Sequence, residues 1–248
     1  RQRRSTQGHA PAARNEVSMQ IDIVDFVDGA RAARGVAVII DVFRAFSVAC
    51  YAFHGGARRM IPFADADAAL ALKRANPGWL AFGERYGKKL EGFDLGNSPY
   101  EVTLADLRGK TIVHTTHAGT QGLSNATGAD VVLTGSLVNA GAICSYIRSL
   151  APSHVTLVRM GQAAQQRCAE DDLCAEILHA RLSGRAYDTA GVRARLRIAP
   201  AAQKFFDPAA TWAPEPDFEL CTDVDRFDFV LRLTGRDQPH PWLERIAL

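Results

Sequence analysis

The 248-residue chain contains no run of 18 apolar residues, so no segment is expected to span a bilayer. Charge of one sign is also missing. Lys and Arg number 29 against 27 Asp and Glu, a formal net charge of +2. That balance, without basic residues interleaved with aromatics, argues against a nucleic-acid partner. No apolar stretch follows the basic RQRRS start, so no secretory leader is expected, and residues 1–18 are expected to form a disordered tail. Cysteine is sparse and odd in number: Cys50, Cys144, Cys168, Cys174 and Cys221. Their irregular spacing suits neither a disulfide framework nor a zinc site, and reduced thiols in a cytoplasmic protein are expected. No Gly/Ser-rich linker divides the chain. One domain over residues 19–248 is the simplest count, with a two-lobed form as the alternative.

What is present is alternation. GVAVIID (35–41) is a continuous apolar run ending in Asp, as expected of a buried strand. RAFSVACYAFHGG (44–56) follows as a helix closed by glycine. The pattern repeats as strand 58–63, helix 64–78, strand 78–85, helix 100–107, strand 110–116 and helix 119–128. It continues as strand 130–136, helix 138–152, strand 154–161 and helix 169–184. MQIDIVDF (19–26) reads as an edge strand. Residues 185–218 are less regular, and 217–233 reads as a closing segment. Such spacing predicts an α/β fold, a three-layer αβα arrangement whose buried sheet carries polar loops at its strand ends. An internal echo is visible between VIIDVFRAFSVAC and VLTGSLVNAGAIC, which aligns Asp41 with Ser136 and Arg44 with Asn139.

Polar residues gather where strands end. Asp41 can bind a cation, and Arg44, three residues on, can take a phosphate bidentately; an N-cap aspartate with a surface arginine is the plain alternative. Glu84 and Arg85 repeat the pattern, with a surface ion pair as their plain alternative. LEGFDLGNSPYE (90–101) is a polar loop in which Phe93 can anchor, while Asp94, Asn97 and Ser98 can face a site or stabilise their own turns. HTTHAGT (114–120) offers Thr116, His117, Gly119 and Thr120 to an oxyanion, with His114 embedded in the sheet. It lacks the glycines and lysine of a P-loop. In AEDDLC, Glu170, Asp171 and Asp172 suit a helix N-terminus or a hard-cation site.

The motifs IDVFRA, FGERYGKKLEGFDLGNSP, KTIVHTTHAGTQGL, ADVVLTGSLVNA and CAEDDLCAE resemble those of the 2-phosphosulfolactate phosphatase, or ComB-like, family, over about residues 35–225. The resemblance implies a Mg²⁺-dependent acid phosphatase that converts 2-phospho-3-sulfolactate to 3-sulfolactate and phosphate, in coenzyme M biosynthesis. By position it implies site roles for Asp41, Arg44, Glu84, Arg85, Asp94, Asn97, Ser98, Thr116, Gly119, Thr120, Ser136, Asn139, Glu170 and Asp171. We expect Asp41, Arg44, Glu84 and Arg85 to be catalytic, Asp41, Glu84, Glu170 and Asp171 to hold Mg²⁺, and the others, with His117, to bind substrate. The partner expected is a small anionic phosphorylated molecule. Oligomeric state stays open, with a homodimer as one option. Many relatives read RATT where this chain has RAFS, so Phe46 is expected to reshape the acid pocket, as is His117 in TTHAGT. Haloacid-dehalogenase phosphatases carry a strand-end DxD; here Val42 and Phe43 follow Asp41, so that mechanism is not imported. Two other readings stand beside this one: a phosphatase for another phosphorylated hydroxy acid, and a non-catalytic anion- or nucleotide-binding module.

Overall fold

A sheet buried on both faces needs strands that are apolar throughout, and Val36–Ile40 meets that demand with five buried residues in a row. The computed structural model describes residues 19–248; the tail expected over 1–18 lies outside them. In chain order the elements are β1 (Gln20–Asp25), α1 (Phe26–Ala32), β2 (Val36–Ile40), α2 (Ala45–His54), β3 (Arg59–Phe63), α3 (Ala66–Ala75), β4 (Leu80–Arg85) and β5 (Lys88–Lys89). They continue as α4 (Pro99–Leu104), β6 (Thr111–Thr115), α5 (Gly119–Asn125), β7 (Val131–Gly135), α6 (Ala140–Leu150), β8 (His154–Arg159) and α7 (Ala169–Leu182). The last are α8 (Val192–Arg197), α9 (Pro216–Cys221), β9 (Phe229–Thr234) and β10 (Trp242–Ala247).

The ten strands form one sheet in the order β1-β8-β2-β7-β9-β10-β3-β6-β4-β5. The first four are parallel, as are β3, β6 and β4. β9 and β10 join the two groups through antiparallel pairings. The expected edge position of β1 and the expected α/β class are both observed. α1 and β10 were not expected. Glu244 and Arg245 interrupt the apolar pattern of β10, but its full ladder with β9 and the stacking of Arg245 on Phe229 give it a place.

The pleat sorts each strand between two faces. Ala37 and Ile39 of β2, Phe82 of β4, Ile112 of β6, and Phe229 and Leu231 of β9 all enter one continuous core under α1, α2 and α5. Val36, Val38 and Ile40 point the other way, into a core with α6 and α7. Ala81 and Val113 do the same under α3. Helices therefore cover both faces of the sheet in three layers. Local signals set their ends. Asp65 caps α3 by accepting from the Ala68 amide at 2.7 Å, and Ser98 caps α4 with Pro99 at the first helical position.

Gly122 lets α5 lie directly on β2. A Cβ there would meet Ile39 Cγ2 at 2.5 Å and Met160 Sδ at 2.6 Å. Alanine would gain about 1 kcal/mol of helix propensity, but overpacking costs roughly 1–3 kcal/mol. Packing should win. Gly122→Ala is expected to lower the urea unfolding midpoint with the slope unchanged; a raised midpoint would show that α5 can shift away from the sheet freely.

Candidate active site

Strand ends from both parallel groups open onto one cavity of about 300 Å³. Asp41 and Arg44 reach it from the turn after β2, Glu84 from β4, His117 from the turn after β6, and Glu170 and Asp171 from the first turn of α7. Asn97 arrives from the polar loop. Phe43, Cys168, Lys204 and Trp212 also stand in the wall.

Four buried carboxylates share this cleft, and they divide by what their oxygens meet. Glu84 accepts from the His117 amide at 2.7 Å and the Gly87 amide at 2.6 Å. It thereby ties the turn after β6 to the turn after β4. Asp171 accepts from the Val42 and Gly161 amides, both at 2.8 Å, and ties the turn after β2 to the loop after β8. Asp41 and Glu170 keep free oxygens. Asp41 Oδ1 takes the Ala45 amide at 3.3 Å, while its Oδ2 has no hydrogen bond among the described residues. Glu170 Oε2 is buried with no partner among them.

Two glycines make room. A Cβ on Gly119 would stand 2.8 Å from Asp41 Oδ2 and 2.9 Å from Ala45 Cβ, so only glycine lets α5 begin against the aspartate. Gly87 has φ +81°, and a Cβ there would sit 2.2 Å from the Trp212 ring.

Arg44 is almost wholly buried, at 2 % exposure. Its Nη1 donates to Asp217 Oδ2 at 2.6 Å and to the Trp212 carbonyl at 2.9 Å, and its Nη2 donates to the Gly87 carbonyl at 3.1 Å. Asp217 in turn accepts from Ser98 Oγ at 2.8 Å and the Tyr100 amide at 2.9 Å. Arg44 is thus neither a surface arginine nor a free clamp; it is a pinned cation. Burial still holds Asp217 above the usual carboxylate range, against the pull of Arg44.

The family model described as 2-phosphosulpholactate phosphatase matches residues 21–236. A probable 2-phosphosulfolactate phosphatase of Bacillus subtilis is 30% identical over 213 residues, 85% of this chain and 92% of the relative. One of Thermoplasma volcanium is 32% identical over 193 residues, 78% of this chain and 86% of the relative. One of Gloeobacter violaceus is 41% identical over 162 residues, 64% and 68% of the two chains. The chain belongs to the 2-phosphosulpholactate phosphatase family.

This family is one of phosphoric monoester hydrolases, and the cleft shows which polar positions of this member converge. Asp41, Arg44, Glu84, Asn97, His117, Glu170 and Asp171 line it. Arg85 does not. Its guanidinium binds the Glu84 and Ala64 carbonyls and Thr115 Oγ1. Asp94 accepts the Ala81 amide at 2.7 Å and pairs with Lys73. Thr116 and Thr120 hydrogen-bond to each other and close the first turn of α5. Ser136 bonds Ser47 at 2.7 Å, and Asn139 donates to the Phe229 carbonyl. Ser98 and Gly119 act through Asp217 and Asp41, as described. Phe46 is wholly buried in the core and does not wall the cavity, so the expected reshaping by Phe46 is corrected: its ring lies beneath Gly119. His117 does wall it, edge-on to Tyr86 at 4.7 Å. His114 is embedded in β6 as expected, and burial pushes its imidazole down to about 4.

The sequence reading missed Lys204, Trp212 and Asp217. Lys204 lies on the 3-10 turn Pro200–Phe205, in the irregular stretch where no periodicity signals a site.

Burial, then the Glu84 carboxylate, pushes Asp41 up to about 7. Burial likewise raises Glu170, and burial with Asp41 raises Asp171. Hard oxygen donors of this kind suit Mg²⁺. Among the described residues no three His, Cys, Asp or Glu side chains form a ready-made metal group.

An aspartate raised from 3.8 to about 7 binds its proton more tightly folded than unfolded. Its stabilising effect is therefore present at low pH and lost as pH rises through that window, by up to about 1.4 kcal/mol per pH unit. Chelator-treated Asp41→Asn is expected to lose less stability than the chelator-treated wild type between pH 4 and 7. Parallel pH profiles in urea denaturation would show that Asp41 does not carry this titration.

Proposed function

We propose that this protein hydrolyses 2-phospho-3-sulfolactate to 3-sulfolactate and phosphate in a Mg²⁺-dependent reaction. One observation carries the reading: two carboxylates with free oxygens, Asp41 and Glu170, share one cleft with a cation in a chain of this family. The relatives' names supply the substrate. The cleft supports the cation requirement independently. Its carboxylates outnumber its cations, and the Arg44 charge is already matched by Asp217. With those carboxylates ionised, a phosphate ester brought here unaccompanied would be repelled.

Asp41 and Glu170 are the residues suited to hold Mg²⁺, with Glu84 and Asp171 bordering them. When bound, the ion would neutralise phosphoryl oxygens and the charge developing on the leaving alkoxide. Asp41 is the residue suited to attack. Its Oδ2 forms a bond to phosphorus as the ester P–O bond breaks and the sulfolactate oxygen takes a proton from water. A second water then releases phosphate and restores the carboxylate. Glu84 and Asp171 hold the four surrounding loops in place, and Arg44 holds Trp212 and Gly87 at the wall.

The test is phosphate release from 2-phosphosulfolactate with and without Mg²⁺, beside phospholactate and an aryl phosphate. Mg²⁺-dependent release that favours the sulfonate is expected. Release from phospholactate alone would keep the hydrolase class and change the substrate; release from none would favour an anion-binding module. Asp41→Asn is expected to lose roughly a thousand-fold or more in kcat with its fold intact. Near-normal turnover would remove Asp41 from the reaction.

A further inference from the structure

Lys204 is a lining cation that no carboxylate pairs with directly among the described residues. Arg44, the cleft's other basic side chain, is matched by Asp217 at 2.6 Å. Lys204 has no hydrogen bond or ion pair among the described residues. Its Nζ lies 5.2 Å from the Phe205 ring centroid and 5.8 Å from that of Phe43. Aromatic faces attract an ammonium without neutralising it or taking up its donors. The two rings pack edge to face at 5.0 Å, so the amine's setting is built rather than accidental. Partial burial, with Arg44 nearby, pushes the amine down, while Glu170 and Asp41 pull it back up. The carboxylates that feel Lys204 are therefore the two that keep free oxygens.

We infer that Lys204 is the phosphoryl ligand of the cleft, its Nζ donating to a non-bridging phosphate oxygen beside Asp41 and Glu170. The inference rests on the hydrolase reading above and deepens it. A dianionic phosphoryl group placed against carboxylates needs a fixed positive charge on its other side, and Lys204 is the charge the fold leaves for it. An ammonium on a flexible stem suits this task, because its three donors turn to follow oxygens that move as the ester bond breaks.

Calorimetric titration of inorganic phosphate in the presence of Mg²⁺ tests the assignment without turnover. Wild type, Lys204→Gln and Lys204→Arg would be compared, with 3-sulfolactate, which carries no phosphate, as the second arm. Lys204→Gln should lose roughly ten- to a hundred-fold in phosphate affinity, the cost of one charge-assisted hydrogen bond. Lys204→Arg should recover part of that, and 3-sulfolactate affinity should move little in either variant. Cooperative urea unfolding of both variants would show that the fold is kept, and the arginine variant tests the charge should glutamine prove unstable. Phosphate affinity within two-fold of wild type in Lys204→Gln would overturn the inference. So would a loss confined to 3-sulfolactate, which would put the lysine at the other end of the substrate, or a wild type that binds no phosphate. A protein that binds phosphate through Lys204 yet hydrolyses no ester would instead overturn the hydrolase reading and leave this one standing.

Discussion

Burying several carboxylates in one cleft is the constraint around which the rest of the molecule is arranged. A lone buried charge is costly, and like charges side by side are worse. The fold answers in two ways. Glu84 and Asp171 each receive two backbone amides, so their charge is spread into the dipoles of four loops. Asp41 and Glu170 receive less, and each keeps an oxygen without a hydrogen-bond partner among the described residues. Removing either bridging acid would free two loops and leave amides unpaired. The bridging acids are thus part of the architecture, while the other two remain open to an ion or a substrate.

That arrangement depends on the sheet. Parallel strands deliver their C-terminal ends, with the helix starts that follow, to one edge within each group. Here two parallel groups are joined by the antiparallel pair β9 and β10, and ends from both groups reach the same cleft. The cleft therefore takes Asp41, Glu170 and Asp171 from one group and Glu84 and His117 from the other. The Glu84 bond to the His117 amide fastens the second group internally, and Asp171 does the same for the first. One link across them is Arg44, which follows β2 and donates to the carbonyl of Gly87, which follows β4.

Much of this was legible because it follows local rules. Buried runs such as Val36–Ile40 announce parallel strands, and acids at their ends announce a site. The misreadings have physical reasons too. Glu84 and Arg85 read as one pair in sequence, but the pleat sends neighbouring residues to opposite faces, so Glu84 in the cleft obliges Arg85 to turn toward Ala64 and Thr115. Phe46 sits in the first turn of α2, near Asp41 in sequence, yet the helix turns its ring into the core. Lys204, Trp212 and Asp217 come from a stretch with neither helical nor strand period. Arg44 meets Asp217 across 173 positions, and no spacing rule reaches that far.

The echo between the two βα units shows how one local geometry takes two roles. β2 and β7 are neighbours in register, with Ile40 opposite Gly135, so Asp41 and Ser136 leave adjacent strands side by side. Arg44 and Asn139 then occupy the same N-cap position, with similar backbone angles, before α2 and α6. Shared βα geometry is enough to explain the likeness. What separates the units is the chain packed over each. Over the first lies the irregular stretch that brings Asp217 and Trp212, which fix Arg44 beside an open cavity. Over the second lies β9, whose Phe229 carbonyl takes the Asn139 amide. Ser136 turns to Ser47 of the first unit and so braces the helix that starts beside Asp41. The second unit is spent on holding the first, which is why equivalent polar residues at two neighbouring strand ends yield one site and not two.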